Sequence, residues 1–145
     1  EARIELRSTV LAYWHGPASH RQEDVMIRNK LALIYVNLLK MDYPEVWQSA
    51  WRDVVASVTN GAIMVDLYLR VLVVFDEEVV SDDVVRSSVD RQRTHTIKHA
   101  MRQSDVALLA ESWYNILNGF RRDLPLLIAE CCKVVGLFAV WIDIT

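Results

Sequence analysis

Apolar residues recur at helical spacing along almost the whole chain, and very little punctuation interrupts them. Only four glycines and three prolines serve 145 residues, too few for the frequent turns of a β-sandwich or barrel. They also leave no spare glycines for a phosphate-cradling loop. The length suits about one domain, and 52% apolar residues with a mean hydropathy of +0.13 supply a sizeable core and exclude disorder.

The periodicity divides the chain into consecutive helices. Leu6, Val10 and Trp14 recur at four-residue steps before Gly16-Pro17 ends the first. From about Glu23 to Met41, the positions Ile27, Leu31, Ile34, Leu38 and Met41 predict one inner face. Pro44 stands where a first-turn proline belongs, ahead of a stripe formed by Trp47, Trp51, Val54, Val55 and Val58. Asn60-Gly61 is its stop. The stretch Ala62 to Phe75 is ambiguous, since Val71-Leu72-Val73-Val74-Phe75 alone suits a buried strand. Ile63, Leu67, Val71, Val74 and Phe75 nevertheless share a helical face, and Asp66 and Arg70 pair at i,i+4. No second strand exists for it to pair with, so helix is the expectation.

An acidic connection, Asp76 to Asp83, leads to a basic helix from about Asp90 to Gln103. Ser104 is the expected N-cap of the next helix, with the stripe Val106, Leu109, Trp113, Ile116, Leu117 and Phe120. Asp123 caps the last, whose inner face carries Leu127, Cys131, Val134, Phe138 and Trp141. The run Leu124 to Ile142 is membrane-like in hydropathy, but Glu130 and Lys133 near its middle predict a buried helix of a soluble fold. About seven amphipathic helices joined by short turns predict an all-α fold, an α-α superhelix of HEAT-type repeats occupying residues 1–145 as one segment. No strict internal sequence repeat accompanies the pattern. The start Glu1-Ala2-Arg3, without an initiator Met or apolar leader, leads us to expect a piece of something longer.

Side chains for catalysis are poorly grouped. His95 and His99 have metal-ligand spacing, but Thr96-Ile97-Lys98 between them lacks the glutamate of a zinc-protease motif and adds a cation. We expect no metal there, only solvated or RNA-facing imidazoles. Cys131 and Cys132, the only cysteines, are neighbours and cannot staple distant segments, which reads as an intracellular protein. Core packing is their expected role. No nucleophile elbow, Walker or dinucleotide signature is present, so neither catalytic residues nor a cofactor are expected.

Charge gives one asymmetry. Sixteen Lys and Arg against 19 Asp and Glu give a net charge of −3, so a nucleic-acid partner would need a local basic patch. Arg91, His95, Lys98 and Arg102 fall at i, i+4, i+7 and i+11 and share one narrow helical stripe, with Arg93 beside it. The plain alternative is a solvated helix face, as it is for the acidic run.

Val65-Asp66-Leu67-Tyr68-Leu69-Arg70 is the first stretch with a familiar pattern. With Ile97-Lys98-His99-Ala100-Met101-Arg102, Glu111-Ser112-Trp113-Tyr114-Asn115-Ile116-Leu117, Val134-Val135-Gly136 and Trp141-Ile142-Asp143, it resembles the exportin-T family of tRNA nuclear export receptors, within the karyopherin-β superfamily. Ile27-Arg28-Asn29-Lys30 is similar to the opening of an earlier family helix. Order and spacing agree from about Ile27 to Asp143; Glu1 to Val25 match less distinctly and Ser81–Asp90 departs most.

The resemblance implies an N-terminal portion of a much longer HEAT-repeat receptor. It implies binding of Ran in its GTP form and of tRNA, passage past nucleoporins, and shuttling between nucleus and cytoplasm. GTP enters only as carried by Ran; no membrane and no DNA are implied. Under it, Arg91, Arg93, Lys98 and Arg102 become the RNA-facing candidates, because tRNA is recognised largely through shape and backbone phosphates. Trp113, Tyr114, Leu67, Tyr68 and Trp141 are expected to pack helices, and Asp66 with Arg70 to be structural. No Ran contacts carry over residue by residue. Two rival readings stay open: another HEAT-repeat karyopherin or protein-binding scaffold without RNA cargo, and an all-α enzyme fragment whose site lies elsewhere.

Overall fold

The structure is a computed structural model describing residues 1–21, 23–120 and 124–142. Among these it is helical throughout its regular parts, with no strand. The elements are α1 (Ala2–His15), the single turn α2 (Pro17–His20), α3 (Val25–Asp42), α4 (Ala50–Ala56), α5 (Ala62–Phe75), α6 (Ser88–Ser104), α7 (Val106–Phe120) and α8 (Pro125–Ile142). A 3₁₀ turn, Ser57–Asn60, follows α4, and a π-helical turn, Asp76–Val80, extends α5. This is a HEAT-type helical stack. Helices α3, α5 and α8 lie side by side, while α4 and α7 pack against each other in a second layer.

Helix α5 is the hub. Its β-branched run stays helical because eight of its fourteen residues are buried, among them Val65, Leu67, Tyr68, Val71 and Phe75. Burial on several faces outweighs the local strand preference. Gly61 starts the helix at φ +111°, a left-handed value that a Cβ would strain. Aromatic rings join the layers: Trp51 meets Phe75 edge-on at 5.0 Å, and Trp113 meets Phe138 at 5.6 Å. Trp14, Trp47, Trp51, Trp113 and Trp141 are all buried.

Several local expectations shift. On α3 the buried face is Ala32, Tyr35, Val36, Leu38 and Leu39, whereas Ile27, Ile34 and Met41 are exposed. This helix is apolar on two sides, and periodicity alone selects the wrong one. Pro44 does not open a helix. It follows a cis peptide bond after Tyr43, and the Asp42 carbonyl accepts from the amides of Val46 and Trp47. The Asp53 carboxylate then draws in the Trp47 indole at 2.7 Å and the Ser49 hydroxyl at 2.9 Å, delaying α4 to Ala50. Ser104 is the last residue of α6, and the linking residue is Asp105, which accepts from the Tyr43 hydroxyl.

Tyr114 is 66% exposed, so it is not a packing residue, and Leu6 is half-exposed. Asp123 lies outside the described residues. Helix α8 passes the length and hydropathy test for a membrane span, but Cys131, Val134, Phe138 and Trp141 pack inward. Its outer face is uncovered: Leu126 is 83% and Val140 88% exposed. The acidic connection is only partly a loop, because Val79 and Val80 of the π-helical turn are buried.

Candidate nucleic-acid interface

Helix α6 carries the predicted cations, and its own sequence explains why it is polar. Ser87 caps it, accepting from the Asp90 amide at 3.1 Å. Only Ile97 and Met101 are buried along seventeen residues. With so little apolar burial, this helix is held to its neighbours by side-chain hydrogen bonds.

Three of the four predicted cations make those bonds, each to the end of a different element. Arg93 donates from Nε to the Lys40 carbonyl at 2.7 Å, from Nη2 to the Tyr43 carbonyl, and from Nη1 to both oxygens of Glu45 at 2.8 Å. These carbonyls lie at the C-terminus of α3. Lys98 donates to the Val80 carbonyl, at the end of the π-helical turn, at 3.1 Å. Arg102 donates from Nε and Nη2 to the Trp141 carbonyl, in the last turn of α8, at 3.2 and 2.6 Å. Its guanidinium also lies 5.7 Å from the Trp141 ring centroid. The last carbonyls of a helix lack intrahelical partners and sit at the negative end of its dipole, so cations are favoured there. Helix α6 thus caps the ends of three neighbours.

Electrostatics follow from this placement. Burial lowers the Lys98 ammonium below its ordinary value, with Arg86 and Arg102 adding to the effect and Asp82 and Asp76 opposing it. Burial raises the Asp76 carboxyl, Glu77 adds to the rise, and Lys98 partly offsets it. The Arg93 hydrogen bonds hold the Glu45 carboxyl below its usual range.

The predicted set therefore does not form one free surface. Arg93 is about 200° around the helix from Arg91 at 100° per residue, facing α3 and not adjoining the stripe. Lys98 leans toward the π-helical turn. Arg91 is exposed and makes no ion pair among the described residues, and His95 and His99 are exposed beside it. Their rings lie parallel within 5°, with centroids 6.4 Å apart. No group of three or more metal-ligating side chains forms among the described residues. Cys131 is buried, its thiol pushed up to about 11 by burial, whereas Cys132 is exposed on α8.

Sequence reasoning missed a second surface, between α3, α5 and α8. Arg28 bonds Asp66 at 2.7 Å, and Asp66 bonds Arg70 at 2.8 Å. Arg70 reaches Asn29 at 2.7 Å, so the stretches Ile27–Lys30 and Val65–Arg70, far apart in sequence, join in one network. Beside it runs an open groove of about 600 Å³ lined by Asn29, Arg70, Glu77, Glu130 and Lys133 among others. The i,i+4 pairing of Asp66 and Arg70 was the only signal of it in the sequence.

Comparison with known proteins adds the family context. The family model described as "Exportin 1-like protein" matches residues 24–145. Among curated relatives, Exportin-T of Homo sapiens is 33% identical over 141 residues, covering 97% of this chain and 15% of the relative. Exportin-T of Danio rerio is 37% identical over 122 residues, covering 84% of this chain and 13% of the relative. That of Dictyostelium discoideum is 32% identical over 143 residues, covering 99% and 13%. The chain thus spans about one seventh of the length of the relatives it matches. No solved structure matches it.

Proposed function

This chain belongs to the exportin 1-like family, and from that premise we propose that it is a segment of a nuclear export receptor for tRNA that works with Ran in its GTP form. The observation that carries this reading is the similarity, over nearly the whole chain, to proteins called Exportin-T. The helical stack suits such a role. A solenoid that surrounds its cargo distributes contacts over many repeats, so one segment needs only a few cations and no excess of positive charge. The apolar outer face of α8 suits the packing of further repeats.

In this reading the receptor binds and carries and does not catalyse. GTP arrives on Ran, nucleoporins are met in transit, and the protein shuttles between nucleus and cytoplasm. Neither a membrane nor DNA is a partner. The groove between α3, α5 and α8 offers a mixed-charge face for a protein partner, while the basic side of α6 offers phosphate contacts.

The test is binding of fluorescent tRNA to the full-length protein with and without Ran-GTP. Ran-GTP and tRNA should each tighten the other's binding by the same factor, as linkage requires. Ran-GTP binding that tRNA leaves unchanged would point instead to a karyopherin with a protein cargo. Binding of neither would remove the export reading.

A further inference from the structure

We propose that the outer face of α6, formed by Arg91, His95, His99 and Arg102, docks the phosphate backbone of a structured RNA, with the two imidazoles as direct contacts. This deepens the tRNA reading above and rests on it. The four residues sit at i, i+4, i+8 and i+11, all exposed, and at 100° per residue they fall within about 80° of arc. Successive rungs are about 4.5–6 Å apart along the axis, a pitch suited to neighbouring phosphates of one strand.

The donors on this face remain available. Arg91 has no ion-pair partner among the described residues, and Arg102 keeps Nη1 outside its bonds to the Trp141 carbonyl. The parallel rings of His95 and His99 present two edges side by side, and even a neutral imidazole carries one N–H donor. The one acid of α6, Asp90, accepts from the Ser87 hydroxyl at 2.7 Å. Asp76 and Asp82 act on Lys98, on the flank toward the π-helical turn. Lys98 and Arg93, which are partly buried where Arg102 is exposed, fall outside the proposed contact set, Lys98 turned to the Val80 carbonyl and Arg93 to that of Lys40.

The test uses the full-length protein and a fluorescent RNA duplex at low salt and fixed pH. His95→Glu with His99→Glu should weaken binding by about 2- to 30-fold, the range expected for two exposed charge contacts. His95→Arg with His99→Arg should tighten it over a similar range. The slope of log affinity against log salt should flatten in the Glu variant by roughly 0.7–0.9 per lost phosphate. Lys30→Glu, exposed on α3 and a two-unit charge change like that of two neutral imidazoles to carboxylates, should leave that slope unchanged.

Equal affinities for all variants, or equal slopes for the two Glu variants, would overturn the proposal. So would histidine-dependent binding of poly-glutamate but not of the duplex, which would assign the face to an acidic protein surface. Ran-GTP-dependent tRNA binding by the full-length protein, unaffected by the Glu substitutions, would leave the export reading standing and remove this face from it.

Discussion

Helices α5 and α6 solve opposite problems. Eight of the fourteen residues of α5 are buried, and only Asp66 and Arg70 carry charge along it. Helix α6 is longer yet buries two side chains. The first is placed by apolar packing from several sides, which has no preferred direction. The second is placed by cations that reach carbonyls at the ends of α3, the π-helical turn and α8. A basic helix on a solenoid surface is therefore not automatically a binding surface, because part of its charge is spent on the fold.

Breaking the apolar side of this comparison should have the largest effect. Trp51 is fully buried against Phe75, and Trp51→Ala should cost about 3–5 kcal/mol in chemical denaturation. A loss below about 1 kcal/mol would show that the layers are not joined there. Next comes the ionic link between α3 and α5. Asp66→Ala leaves the Arg28 guanidinium largely buried without its carboxylate, an expected loss of about 2–3 kcal/mol, moderated by partial exposure. Retention of full stability would make that network incidental.

Asp105 sharpens the comparison through pH. Burial lifts its carboxyl above the usual value, only partly offset by the Tyr43 hydrogen bond and the charge of Arg52. A carboxyl with a raised folded pKa contributes stability below its unfolded value, near pH 4, and loses it as pH rises through the folded one. Asp105→Asn should therefore be more stable than the parent above that window, with the difference shrinking toward pH 4. Denaturation midpoints across the window would check the sign, and a difference that does not change with pH would refute it. The smallest effect belongs to Tyr114→Ala, within about 0.5 kcal/mol, since that ring is mostly in water. A larger loss would place Tyr114 in the packing after all.

What the sequence disclosed follows from which forces leave a periodic trace. Helix α5 was legible because Ile63, Leu67, Val71 and Phe75 keep helical spacing despite their strand preference. The inner faces of α7 and α8 were legible for the same reason. The face of α3 was not, because Ile27, Ile34 and Met41 repeat as regularly as the residues actually buried. Pro44 misled because the hydrogen bonds that shape its turn come from Asp42 and Asp53, on either side of it. Asp105 was drawn into the core by Tyr43, 62 positions away. The angular positions of the α6 cations were readable, but not the carbonyls waiting for them, since an unpaired helix end has no sequence signature of its own.

That division of the α6 cations is most directly tested by chemical denaturation of four single variants, Arg93→Met, Lys98→Met, Arg102→Met and Arg91→Met, under one set of conditions. The first three should each lose about 1–2 kcal/mol, because each abandons carbonyls at a helix end. Arg91→Met should stay within about 0.5 kcal/mol of the parent. Four equal, negligible losses would contradict the account, leaving α6 an ordinary solvated helix whose contacts to α3, the π-helical turn and α8 hold nothing in place.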